Sequence, residues 1–167
     1  MDAFVQPLYE LADFDAIIRQ LKKPGIVQVS GCLDSQKAHF TNGLLREFPF
    51  RLIVAENDLK AKAFYEDFRL YDPEVLYYPA RDLIFYQADI HGNLLTRQRI
   101  QVLRALLERE EVTIVTSIDS CLDCLVPLAV WKEKVIKIRN DSEIDLDRMK
   151  RHLLELGYEW AAQVEVP

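Results

Sequence analysis

The sequence predicts an α/β protein: a parallel sheet with flanking helices over residues 1–120, followed by the start of a small α+β unit over residues 121–167. Two observations predict it. Short apolar runs rich in β-branched residues alternate with longer segments whose apolar residues recur at helical spacing. Those runs are continuously apolar rather than alternating, as strands buried on both faces of a parallel sheet must be.

The elements follow in chain order. Phe14, Ile17, Ile18 and Leu21 share one helical face, and Pro24-Gly25 ends that helix. Ile26-Val27-Gln28-Val29 reads as a strand broken at Gly31, and Leu52-Ile53-Val54-Ala55 as a second strand. Residues 58–71 carry Leu59, Ala63, Phe64 and Phe68 at helical spacing; Val75-Leu76-Tyr77-Tyr78 is a third strand, ended by Pro79. Asn93 is placed to cap a long helix with Leu95, Val102, Leu103, Leu106 and Leu107 on its core side, and Val112-Thr113-Ile114-Val115 makes the fourth strand. Pro127 marks a crossing between units. Beyond it come a strand at Val135-Ile136-Lys137-Ile138, a turn at Asn140-Asp141-Ser142, and a helix capped by Asp145 and closed by Gly157. A last strand falls within residues 158–166, making a β-α-β unit too small for much core of its own.

Composition narrows the function classes. Of 167 residues, 50% are hydrophobic and 29% charged, which excludes wholesale disorder and is enough for a core without covalent staples. The net charge is -6: residues 1–120 hold 18 acids against 14 bases, and residues 121–167 hold nine against seven. Neither part concentrates the positive charge that nucleic-acid phosphates or an anionic membrane require. Three cysteines do not make a disulfide framework and point to a reducing compartment. With no signal-like leader and no run of 18 apolar residues, a cytoplasmic protein that avoids membranes is expected.

The most informative stretch is Gly31-Cys32-Leu33-Asp34-Ser35-Gln36-Lys37-Ala38. A strand, a glycine turn and a lysine entering a helix is the layout of a phosphate loop, G-x-x-x-x-G-K-[ST], in which backbone N–H groups cradle phosphates and the hydroxyl holds Mg²⁺. Gly31 and Lys37 keep that spacing and Ser35 lies between them. The second glycine is replaced by Gln36 and the metal-binding hydroxyl by Ala38, and Asp34 adds a negative charge beside the phosphate position. The stretch reads as a vestigial loop, with weak anion binding and coincidence as the other readings. Asp119, after the fourth strand, has no adjacent glutamate and reads as a turn or cap residue, not the acid of a nucleotide hydrolase.

Other groups have ordinary readings. Cys121 and Cys124 have half the spacing of a zinc site without a second pair, and His39, His91 and His152 show no ligand spacing, so no metal is expected. Arg97, Arg99, Arg104 and Arg109 read as a solvated helix face, with phosphate contact the alternative. Tyr71, Tyr77, Tyr78, Phe85 and Tyr86 read as core aromatics rather than a base-stacking platform.

Taken in order, these residues resemble a family. The 31–38 loop, then Leu52-Ile53-Val54-Ala55-Glu56-Asn57, Tyr77-Tyr78-Pro79-Ala80-Arg81-Asp82, Arg97-Gln98-Arg99 and Thr113-Ile114-Val115-Thr116 look like worn helicase motifs. With Leu125-Val126-Pro127, Val130-Trp131, Leu156-Gly157-Tyr158 and Val164-Glu165-Val166-Pro167, the set is similar to the N-terminal, excinuclease B-like module of the bacterial transcription-repair coupling factor. The resemblance implies a degenerate RecA-like, phosphate-loop half-domain with its nucleotide chemistry lost. It implies membership of a DNA translocase that uses ATP and Mg²⁺ elsewhere in its length, releases stalled RNA polymerase and recruits nucleotide excision repair. For this stretch it implies no catalytic residue and no cofactor, with Gly31, Ser35 and Lys37 vestigial. The partners it implies are the excinuclease A subunit and the protein's own C-terminal domain, with RNA polymerase and DNA held by other domains. Trp131, Arg148, Arg151 and Trp160 in the tail are the side chains of hot-spot type. Excinuclease B itself keeps an intact loop and an aromatic hairpin, for which Gln36, Ala38 and the short link from Tyr78 to Asp89 leave no place. In the family an arginine-containing stretch follows the position of Pro167, so the chain reads as an N-terminal fragment and is expected to hold excinuclease A only weakly. The competing readings are an ATPase with an unusual loop and a damaged-DNA-binding module.

Overall fold

The computed structural model describes residues 4–81, 89–136, 138, 140–141 and 143–161. They divide into two compact units, residues 1–123 and 124–167.

The first unit is built on a three-stranded parallel sheet. Strands β1 (Phe50–Ala55), β2 (Leu76–Tyr78) and β3 (Val112–Ser117) lie in the order β1-β3-β2. Phe50 to Ala55 pair in register with Val112 to Ser117, and Leu76 to Tyr78 pair with Ile114 to Thr116. Central β3 is buried at all six positions, as its unbroken Val-Thr-Ile-Val-Thr-Ser sequence requires. Helix α1 (Phe14–Leu21) and helix α2 (Asp34–Leu45) precede the sheet, α3 (Asp58–Phe68) follows β1, α4 (Asp89–Glu108) follows β2, and the short α5 (Ile118–Cys121) follows β3.

Each face of the sheet has its own core. On one, Ala61 and Phe68 of α3 and Ala38 of α2 pack on Val75 and Val115, with Ile53, Ala55 and Tyr77 at the margin. On the other, Val102 and Ala105 of α4 pack on Val112, Ile114 and Tyr78. A third cluster ties a 3-10 turn (Gln6–Glu10) to α1 through Val5, Leu8, Phe14 and Ile18. Gly43 of α2 makes that approach possible, because a Cβ there would come within 2.4 Å of Leu8 and 2.9 Å of the Phe14 ring.

Several expectations need correction. Residues 26–29 form no strand: Ile26 is 99% exposed and Val29 41%, and no sheet edge accepts them. Their β-branched side chains favour extension, but a strand exists only where a partner ladder satisfies it. Helix α4 begins at Asp89, four residues ahead of Asn93, and Leu106 is exposed while Ala105 is buried. Of the two readings of Asp119, the turn holds and the cap does not: it lies within the single turn of α5, and Ser117 is the cap, its hydroxyl accepting the Ser120 N–H.

The second unit holds two helices, α6 (Leu128–Lys134) and α7 (Leu146–Glu155). Asp145 caps α7, accepting the N–H groups of Asp147 and Arg148 at 3.0 and 3.1 Å. Gly157, at φ +90°, closes it in a left-handed turn. The strand expected from Val135 to Ile138 is not found among the described residues, which omit Lys137, and residues 158–161 are not in a ladder; the rest of that expected strand lies outside the described residues. No residue of α7 is buried. No helix among the described residues is long and apolar enough to cross a membrane.

Candidate functional site

In an open parallel sheet, ligand chemistry collects beyond the carboxyl ends of the strands. Here that edge is made by residues 56–58 after β1, 79–81 after β2 and 117–123 after β3, with the 31–38 loop nearby. Gly31 turns at φ +88°, a conformation open to glycine, and Leu33 leads into α2.

The first turn of α2 is satisfied from within. The Gln36 side chain accepts the Leu33 N–H at 3.2 Å, and Asp34, at the first helical position, holds Lys37 at 2.5 Å. Hydrogen bonding and attraction from Lys37 lower the Asp34 carboxyl below its ordinary value, and the same bond raises the Lys37 ammonium. Glu56 lies close enough to act on Lys37 and Lys60 on Asp34, while Glu56 and Lys60 pair at 2.5 Å. Two lysines and two carboxylates thus neutralise one another where a phosphate would need free positive charge. The Asp34 carboxylate sits where an incoming anion would be repelled. Ser35 is exposed on the same turn.

A second network braces the strand ends. Asp58 Oδ1 accepts from the Ser117 hydroxyl at 3.0 Å and the Ala80 N–H at 3.2 Å, while Ser117 and Ser120 share a 2.9 Å hydroxyl contact. On the other side Arg99 is buried. It donates to the Pro79 carbonyl at 2.7 Å, meets Asp123 at 2.9 Å and lies over the Tyr78 ring at 4.2 Å. Burial, more than any charge, raises the Tyr78 hydroxyl above its ordinary value, and burial does the same for Tyr77. The Pro79-Ala80 backbone is therefore held by a carboxylate at its N–H and a guanidinium at its carbonyl. This is a structural brace: Asp58 is spent on Ser117 and the Ala80 N–H, and Arg99 on the Pro79 carbonyl and Asp123.

Arg99 accordingly leaves the solvated helix face expected for it, whereas Arg104 and Arg109 are exposed and paired with Glu108 and Glu74. Tyr71 and Tyr77 border the Phe68 core and Tyr78 the opposite one; Phe85 and Tyr86 lie outside the described residues. Cys121 and Cys124 are both exposed, and among the described residues no three His, Cys, Asp or Glu side chains stand close enough to hold a metal. A cleft of about 460 Å³, lined by Arg51, Asp72, Glu74, Arg109, Glu111 and Thr113, opens at the opposite, amino ends of the strands. In the second unit Arg148 and Arg151 lie three residues apart on α7, Trp160 is 75% exposed beneath Lys150 at 5.3 Å, and Trp131 of α6 is half-buried. Sequence reasoning did not single out Asp58 or Asp123 and placed Arg99 on a solvated face, because their partners lie 20 or more residues away and leave no local signature.

No family model matches the chain. It is 28% identical to a transcription-repair-coupling factor of Bacillus subtilis, over all of this chain and 14% of that protein. It is 29% identical to a UvrABC system protein B of Treponema denticola, over 86% of this chain and 20% of that protein. The chain is homologous to both. The shared segment is the excinuclease B-like N-terminal module, which places the chain among relatives that act in DNA repair by nucleotide excision. A protein B of Anaplasma phagocytophilum matches 68% of the chain at 31% identity. The chain thus spans between about one seventh and one fifth of the length of these relatives.

Proposed function

We propose that this chain is a non-catalytic interaction module of transcription-coupled nucleotide excision repair, which recruits the excinuclease A subunit in the cytoplasm. In the whole protein, the same surface would be masked at rest by a C-terminal domain, and ATP, Mg²⁺, RNA polymerase and DNA would be handled by other domains. The observation that carries the reading is the self-neutralised loop: Lys37 holds Asp34 where the relatives' fold would hold a phosphate. The second unit supports the recruitment role, since Arg148 and Arg151 stand exposed on α7, no residue of which is buried, and Trp160 is exposed in the stretch that follows it.

Two measurements test it. Calorimetric titration with Mg-ATP is expected to give no heat of binding at millimolar nucleotide. A micromolar Kd abolished by Lys37→Ala would replace this reading with the ATPase one. Interferometry against immobilised excinuclease A is expected to show binding in the micromolar range that Trp160→Ala weakens at least about tenfold, or roughly 1.4 kcal/mol. Binding unaffected by Trp160→Ala, Trp131→Ala and the Arg148→Ala/Arg151→Ala pair would move the interface out of the second unit. No binding at all would remove the recruitment role.

A further inference from the structure

We draw no further inference here: the strongest candidate, the charged cleft at the amino ends of the strands between Arg51, Asp72, Glu74 and Arg109, spends its carboxylates on its own walls, Asp72 on the Thr113 hydroxyl and Glu74 on Arg109, and nothing in the structure shows what covers it.

Discussion

Phe68→Ala is expected to cost the first unit about 3–5 kcal/mol, the range for removing a large aromatic from a core that cannot collapse around the loss. Phe68 is the last residue of α3, wholly inaccessible, and its ring stacks on Phe64 at 5.6 Å. It packs with Ala38, Ala61, Val75 and Val115, so it joins α2, α3, the approach to β2 and the central strand. The other buried members of its cluster are alanines and valines, whose short side chains cannot reach into the space. A domain of this size is stable by only about 5–15 kcal/mol in total, so the variant should sit near the edge of folding at 37 °C. Leu70→Ala, two residues on but 77% exposed, should shift stability by less than about 0.5 kcal/mol. Urea unfolding followed by tryptophan-independent far-UV signal compares the two. A loss below about 1 kcal/mol at Phe68 would mean that this cluster is not the centre of the unit.

What the sequence revealed and what it hid divide along a physical line. The helix Phe14–Leu21 was legible because its apolar period and its Pro24-Gly25 stop are both local. The cap at Asp145 and the left-handed close at Gly157 were legible for the same reason. The central strand was legible because burial on both faces leaves a run of β-branched residues with no charge in it. Residues 26–29 are likewise rich in β-branched side chains yet make no strand, because pairing is decided by a partner far along the chain. Pro127 was read as a crossing, but it also stands at the N-cap of α6, a helix start that proline tolerates at little cost. At the candidate site, the departures from the phosphate-loop pattern, Gln36 and Ala38, were visible in the sequence. The way its charges are consumed was not, since the Glu56–Lys60 pair arrives from the helix after β1. Asp58 reaches Ser117 across 59 positions, and no periodicity announces such a bond.

Arg99 is the clearest case of a residue whose type misleads, and removing its counter-charge is the second large expected effect. Asp123→Ala should destabilise the first unit by about 3 kcal/mol, the low end for leaving a buried charge unpaired. Two features set that size. The Arg99 side chain is only 7% exposed, so its guanidinium cannot turn to water, while the Asp123 side chain is 30% exposed and already partly solvated. The two meet at 2.9 Å as an ion pair without hydrogen-bonding geometry, leaving Asp123 Oδ2 and Arg99 Nη2 without hydrogen-bond partners. After the substitution Arg99 keeps only the Pro79 carbonyl and the face of Tyr78. Replacing both charges, Arg99→Met with Asp123→Ala, should recover most of the loss, because no charge then remains stranded in an apolar site. The coupling between the two substitutions should therefore exceed about 1 kcal/mol in a double-mutant cycle. Hydrogen exchange supplies the local readout. The Ala80 N–H, which donates to Asp58 beside the carbonyl that Arg99 holds, should exchange faster in Asp123→Ala and return towards its original rate in the double variant. Additive losses, with Ala80 exchange unchanged, would show that the pair does not brace the ends of the strands.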